Sequence, residues 1–158
     1  MGRKKEFDYY IFIDYSENLI GYNIIEKEKV SELLLKTSRF RHYKTAKKRD
    51  IYLKHINKTI KREKIESYFL KFKIKEMRDN LEIYSDVIDF IKKHENCIIF
   101  ISVDDKQYNK FKKLVDIVDG KRTKIIKEGT LKKGTPEYQM NLIIDNILNI
   151  RRKQHKKR

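Results

Sequence analysis

The chain has little with which to staple, bend or punctuate itself. Its 158 residues hold one cysteine, one proline, five glycines and no tryptophan. A lone cysteine, Cys97, excludes an internal disulfide framework and a cysteine-based zinc site; it predicts a buried thiol in a reducing compartment. With so few prolines and glycines there is no flexible linker, and no internal repeat is visible. Residues 1–152 therefore read as one domain, long enough to bury a core, followed by a basic tail over 153–158. No apolar run approaches the roughly 20 residues that span a bilayer. The opening MGRKKEFD has no apolar stretch behind its basic residues, as a secretory signal would. These absences together predict a cytoplasmic location and no membrane.

Acids are also in short supply. Against 39 Lys and Arg stand 23 Asp and Glu, a formal net charge of +16 with a pI near 9.8. A charge this large on a chain this small points to a polyanionic partner, nucleic acid (DNA or RNA) ahead of an anionic membrane; the plain alternative is a solubilising surface. The excess is concentrated. Residues 36–64 hold twelve Lys/Arg and two acids. Within them AKKRDIYLKHINKTIKREK places Tyr52, Ile56 and Ile60 four apart, a narrow apolar stripe on a basic helix. Arg39, Arg41, Lys44, Lys47, Lys48, Arg49, Lys54 and Lys58 are the expected phosphate contacts. In SRFRHYK the aromatic residues Phe40, His42 and Tyr43 alternate with the cations, which suits stacking on unpaired bases or simple burial. The four histidines, at 42, 55, 94 and 155, have no metal-ligand spacing.

What apolar material there is comes in blocks. DYYIFID (8–14) and ENLIGYNII (17–25) predict two strands joined by a tight turn at SEN. EKEKVSELLLKT (26–37) has Val30, Leu33 and Leu34 at helical spacing. IESYFLKFKI (65–74) alternates as a strand. KEMRDNLEIYSDVIDFIKKH (75–94) predicts an amphipathic helix with Met77, Leu81, Tyr84, Val87, Ile88 and Ile91 inward. CIIFISV (97–103) predicts a central strand and KQYNKFKKLVDIV (106–118) a helix closed by Gly120. TKIIKEG (123–129) is a last strand. Thr135 caps a final helix with Pro136 at its first position, running to about Arg152. Two strands followed by alternation predict an α/β fold, a mixed five-stranded sheet flanked by helices, with a basic helical insert over 27–63 between strands 2 and 3.

The acids that matter are those in apolar surroundings. Asp14 ends the first strand, and Asp104 and Asp105 follow CIIFISV. Ligands of open α/β sheets gather at strand ends beside a switch in strand order. Glu76 stands beside Met77 at a predicted helix start. Asp145 lies inside MNLIIDNIL, where a carboxylate is costly unless paired or metal-bound. Converging carboxylates without a cation cannot all stay ionised cheaply. Mg²⁺ or Mn²⁺ resolves the conflict, and two such ions clamp the attacking and leaving oxygens of a phosphodiester. Each acid has a plainer reading: Asp14 as a turn residue, Asp104 as a helix cap, Glu76 as a helix-dipole acid with Asp79 as its substitute, Asp145 in an ion pair.

On these residues the chain resembles the ribonuclease H-like superfamily. IFIDYSENLIGY is similar to its first strand and hairpin, with Asp14 as the catalytic Asp. KEMRDNL is similar to the helix start that carries its Glu, here Glu76. ISVDDKQY is similar to the end of its fourth strand, with Asp104 as the acid. PEYQMNLIIDNIL is similar to its last helix, with Asp145. The resemblance covers roughly residues 8–150 apart from the insert. It implies a metal-dependent nuclease with Asp14, Glu76, Asp104 and Asp145 catalytic and with Asp14, Asp104 and Asp145 on Mg²⁺ or Mn²⁺. FIDYSEN and YQMNLIIDNIL also resemble an uncharacterised ribonuclease H-like family with an IDESG-like opening, linked to mobile elements or defence loci. Glu17 stands where that family has Gly, and the step from Gln139 to Asp145 is longer. Related last helices place the Asp where Asn141 stands here, one turn before Asp145 on the same face. A site with Asn141 in that position lacks one acid, and the alternative function is then a decayed nucleic-acid-binding module of the same fold. A PIN-like nuclease, the third reading, needs a helix directly after Asp14, where NLIGYNII reads as a strand.

Overall fold

The computed structural model describes residues 7–119 and 122–156. Strands β1 (Tyr9–Ser16) and β2 (Leu19–Glu26) form the hairpin, turning at Glu17 in the left-handed region (φ 52°). Then come α1 (Lys27–Lys36), a 3-10 turn at Tyr43–Thr45, α2 (Arg49–Arg62) and a second 3-10 turn at Ile65–Tyr68. Strand β3 (Phe69–Glu76), α3 (Asn80–Lys93), β4 (Cys97–Ile101), α4 (Asp105–Asp119), β5 (Lys124–Lys127) and α5 (Pro136–Lys156) complete the order. The sheet runs β3-β2-β1-β4-β5. β1 is antiparallel to β2, β2 is antiparallel to β3, and β1–β4 and β4–β5 are parallel. β1, β3, β4 and β5 thus all end at one edge of the sheet, and that edge positions the acids.

The two-residue alternation of the strands sorts side chains between two cores. Phe12 and Phe100, stacked with centroids 5.1 Å apart, face α1, α2 and α5. Ile11, Ile13, Ile99 and Ile101 face α3 and α4. Strand β3 is an edge; Lys71, Lys73 and Lys75 recur along it, a charge pattern that discourages edge-to-edge pairing. Lys73 pairs with Asp86 at 2.6 Å and Lys75 with Glu82 at 3.2 Å. Cys97 is a buried free thiol, its pKa pushed up to about 12 by burial, so it is a poor nucleophile. Among the described residues no helix is long and apolar enough to cross a membrane.

The expected order of elements is observed, with three local differences. β3 starts four residues later than the alternation of 65–74 suggests, because residues 65–68 form the 3-10 turn, and it runs on to Glu76. Glu76 is therefore a strand residue, not a first-turn helix acid. Leu81, expected inward, is 75% exposed, because α3 begins only at Asn80 and its first turn overhangs the core. The last helix runs past Arg152 to Lys156, into the expected tail, and Gly120 lies outside the described residues.

The turn after α2 carries a testable cost. Lys64 is exposed and holds φ 51°, a conformation costing an L-residue about 1–2 kcal/mol that glycine avoids. Its carbonyl accepts from Ser67 N–H and Oγ, bonds that any residue would keep. Lys64→Gly is expected to stabilise the fold by about 0.5–1 kcal/mol, after the extra freedom of unfolded glycine, as read by urea unfolding. A loss of stability would show that the lysine side chain matters there.

Candidate active site

Asp14 is held on the α5 face of β1, opposite Gly21 of β2, and is only 5% exposed. Its Oδ1 accepts from Tyr15 N–H at 2.8 Å, and the Ser102 hydroxyl bonds to its carboxylate. Asp145 faces β1 from α5, is 6% exposed and is near enough for its charge to act on Asp14. Its Oδ2 accepts from Tyr43 N–H at 3.0 Å and its Oδ1 from Asn149 Nδ2 at 3.4 Å. His42 Nε2 lies 3.9 Å from Asp145 Oδ1. His42 Nδ1 faces Lys44 N–H at 3.3 Å, which in the neutral ring leaves the proton on Nε2, toward the carboxylate.

The two acids share one electrostatic problem. Burial raises the Asp14 pKa well above its ordinary 3.8, and the charges of Asp145 and then Glu128 raise it further; the bonds from Tyr15 and Ser102 oppose this. Asp145 is also raised by burial, but His42, Tyr43 N–H and Lys44 pull it back. Asp14 is therefore the member that keeps a proton longer as pH rises, and Asp145 ionises first. Among the described residues no ion pair reaches Asp14.

The neighbouring residues orient the pair. Asn149 Nδ2 donates to the Asp145 carbonyl at 2.8 Å, and its Oδ1 accepts from Ser16 Oγ at 2.8 Å and from Arg152 at 3.1 Å. Arg152, 8% exposed, also donates to Ser16 Oγ at 2.9 Å and pairs with Glu17. The chain before α2 is strapped over α5. Gln139 Nε2 donates to the Thr37 carbonyl, and Asn146 Nδ2 to the Arg41 carbonyl.

The other two expected acids stand apart. Asp104 is exposed, and its Oδ1 accepts from Gln107 N–H at 2.8 Å, the N-cap geometry of α4. Its charge helps to raise the buried Tyr84 phenol of α3, after burial itself, to about 12. Asp104 thus leans toward the α3 side of the sheet, whereas Asp14 faces α5. Asp105 pairs with Lys127. Glu76 shares the sheet edge but pairs with Arg78 at 2.8 Å, and β2 intervenes between its strand and β1. Among the described residues no three His, Cys, Asp or Glu side chains stand close enough to hold one ion. Glu128 and Ser102 are the additions that strand order supplies. Both alternate with residues of the α5-side core, Ile126 and Phe100.

The eight expected phosphate contacts, Arg39, Arg41, Lys44, Lys47, Lys48, Arg49, Lys54 and Lys58, are all exposed. Phe40 and Tyr43 are buried, and Tyr52 closes on the Arg41 carbonyl at 2.8 Å. The Tyr43 ring carries Arg49, Arg152 and Lys153 at 5.3, 5.5 and 5.6 Å from its centroid. Arg152 and Lys153 were not among the expected contacts.

Searches against protein families and against curated proteins find no match to this chain. Solved structures do match. The chain is similar to ribonuclease H2 from Pyrococcus horikoshii, with 14% identity and a TM-score of 0.53 over 94% of this chain and 74% of that one. It is similar to a chain in the complex of PCNA with RNase HII from Archaeoglobus fulgidus, with 12% identity and a TM-score of 0.51 over 94% and 73%. The chain has a ribonuclease H-like fold: a mixed five-stranded sheet flanked by helices.

Proposed function

We propose that the protein is a divalent-metal-dependent nuclease whose ion is held by Asp14 and Asp145. The observation that carries this reading is the approach, on a ribonuclease H-like sheet, of two buried carboxylates with, among the described residues, no ion pair at Asp14. The donor set fits a hard cation, being all oxygen: two carboxylates and the Ser102 hydroxyl. Asn141 adds a buried Oδ1 that no donor among the described residues reaches, one helical turn before Asp145. Bound there, Mg²⁺ or Mn²⁺ would neutralise the pair and polarise a phosphodiester. Tyr43 N–H and Asn149 fix the orientation of Asp145, Ser102 and Tyr15 N–H fix that of Asp14, and the exposed cations before and along α2 hold phosphate.

The second reading, a nucleic-acid-binding module without cleavage, is favoured by one observation: Asp104 caps α4 instead of joining the pair. Purified protein with labelled DNA, RNA and hybrid substrates separates the two. Cleavage is expected with Mg²⁺ or Mn²⁺ and is expected to vanish in EDTA. Absence of cutting under both metals, with salt-sensitive binding retained, would favour the module. Asp104→Asn is the informative companion, since Asn caps a helix as well as Asp. Retained turnover at unchanged melting temperature limits the site to Asp14 and Asp145. Lost turnover restores Asp104 as a ligand. Glu76→Gln answers the same question for the β3 acid.

A further inference from the structure

The strongest unassigned feature is the hollow between α2 and the last turns of α5. It has a volume of about 660 Å³, and Tyr43, Leu53, Lys54, Ile150 and Lys153 are among its walls. A second hollow of about 660 Å³ adjoins it, sharing Tyr43, Asp50 and Lys153 and adding Lys48 and Arg49. Together they form one groove with five cations (Lys48, Arg49, Lys54, Arg152 and Lys153) against one acid, Asp50. Three of these cations crowd the Tyr43 ring, whose face offsets only part of their mutual repulsion. Asp50 is engaged by Lys153, and Glu17 outside the groove by Arg152, which leaves Lys48, Arg49 and Lys54 as the excess among the described residues. A linear polyanion is the ligand that relieves this excess.

We infer that this groove binds a single phosphodiester strand, with Arg49, Lys54 and Lys153 on successive phosphates. The inference deepens the nucleic-acid reading above and rests on it. Size selects one strand over two. Each of the two hollows is of small-ligand scale and admits a nucleotide or two of one backbone. A duplex presents paired bases behind its phosphates and would ride on the rim. Leu53, Ile150 and the Tyr43 edge offer apolar wall for a sugar or an unpaired base, without the hydrogen-bond readout that sequence recognition needs. The groove also leads to the acids. Tyr43 is its wall through the ring, and its backbone N–H sits on Asp145. Arg152, in the same wall, reaches Asn149, which donates to Asp145.

The test is binding in EDTA, which keeps it independent of cleavage. Fluorescence polarisation compares labelled oligothymidine with a duplex of equal length, across a salt series. Single strand is expected to bind more tightly. Lys54→Gln/Lys153→Gln is expected to weaken single-strand binding about tenfold, and to lower the log–log salt slope by about 1.4, some 0.7 for each phosphate no longer neutralised. Lys112→Gln/Lys113→Gln, exposed on α4 across the sheet, removes equal charge and is expected to change little. An equal loss in both variants would overturn the groove in favour of diffuse charge, and tighter duplex binding would overturn the single strand. Lysine acetylation of the wild-type protein gives a second measurement that no folding defect affects. Lys54 and Lys153 are expected to be protected by the oligonucleotide; unaltered labelling would overturn the assignment. Failure of the nuclease reading alone would appear as this same binding without cleavage.

Discussion

Asp14→Asn is expected to abolish metal-dependent cleavage and, in the same protein, to raise the melting temperature at pH 8. The two effects share a cause. Asp14 is buried beside Asp145 and Glu128, and all three influences, burial first, raise its pKa in the folded state. A carboxyl raised on folding contributes stability that is fully present below its unfolded pKa, near the ordinary 3.8, and lost as pH rises through the folded value. At pH 8 that stability is reduced, because an acid in this dry place is either charged against its surroundings or protonated against the solution pH. The amide of Asn keeps an acceptor for Tyr15 N–H and offers a donor to its neighbours, with no charge to repel Asp145. A gain of about 1–2 kcal/mol, a few degrees in a chain of this size, is the expected scale. The advantage of the variant should shrink as pH falls toward 4, where the wild-type carboxyl is protonated as well. Mn²⁺ supplies the complementary readout. It should raise the wild-type melting temperature at pH 8 and leave that of Asp14→Asn unmoved, whether or not any substrate is cut. A variant less stable than wild type at pH 8, together with no thermal response of the wild type to Mn²⁺, would remove the ion from Asp14.

The contrast between Asp14 and Asp104 shows where sequence reading succeeds and where it stops. Asp14 is legible because an apolar run of strand length ends in a lone acid, and such a run fixes both the element and the burial of its last members. Asp145 is legible for the same reason, as a carboxylate inside an apolar helix face. Thr135 and Pro136 mark the start of α5, and Tyr138 N–H does lie 3.3 Å from Thr135 Oγ1. Asp104 obeys a different rule. The pairing of β4 with β1 reaches only as far as Ser102, whose N–H donates to the Ile13 carbonyl at 2.9 Å, so the alternation that aims Phe100 and Ser102 at α5 does not govern Asp104, and its carboxylate caps α4. Glu76 is misplaced by a shift of one element boundary, since β3 gives way to helix later than the apolar spacing suggests. The bond from Tyr43 N–H to the Asp145 carboxylate spans 102 positions, and that from the Ser16 hydroxyl to Asn149 Oδ1 spans 133. No local pattern announces such pairs. Glu128 and Ser102 did leave a signal, because TKIIKEG and CIIFISV read with a period of two put them on the faces of Ile126 and Phe100.

Gly21→Val is the substitution from which the fold itself has most to lose. By strand propensity alone it should help, since glycine weakens a strand interior and valine suits one. Packing decides the opposite sign. A Cβ at Gly21 would stand 3.0 Å from Ile74 Cγ1, 3.0 Å from the Lys73 carbonyl and 3.2 Å from Leu148 Cδ2. Ile74 and Leu148 are side chains and give way. The Lys73 carbonyl belongs to the strand paired with β2, and cannot retreat without loosening β3. Valine adds two methyl groups beyond that Cβ, into the space where α5 crosses the sheet. The expected cost is about 3 kcal/mol, the upper end of the usual range for overpacking, with Gly21→Ala losing about 1 kcal/mol. The damage should also reach function, because Gly21 is the residue paired with Asp14 and Leu148 lies one turn beyond Asp145 on α5. Lifting α5 there separates the two carboxylates, so Gly21→Val should lose the thermal response to Mn²⁺ even under conditions where it remains folded. Leu148→Ala is the control: combined with Gly21→Ala it should cost less than the sum of the single changes, since it removes one of the three obstructing atoms. Strict additivity, or a Gly21→Ala protein more stable than wild type, would mean that the sheet and α5 adjust freely at this point. The close approach of α5 to β2 would then not be what holds Asp145 against Asp14.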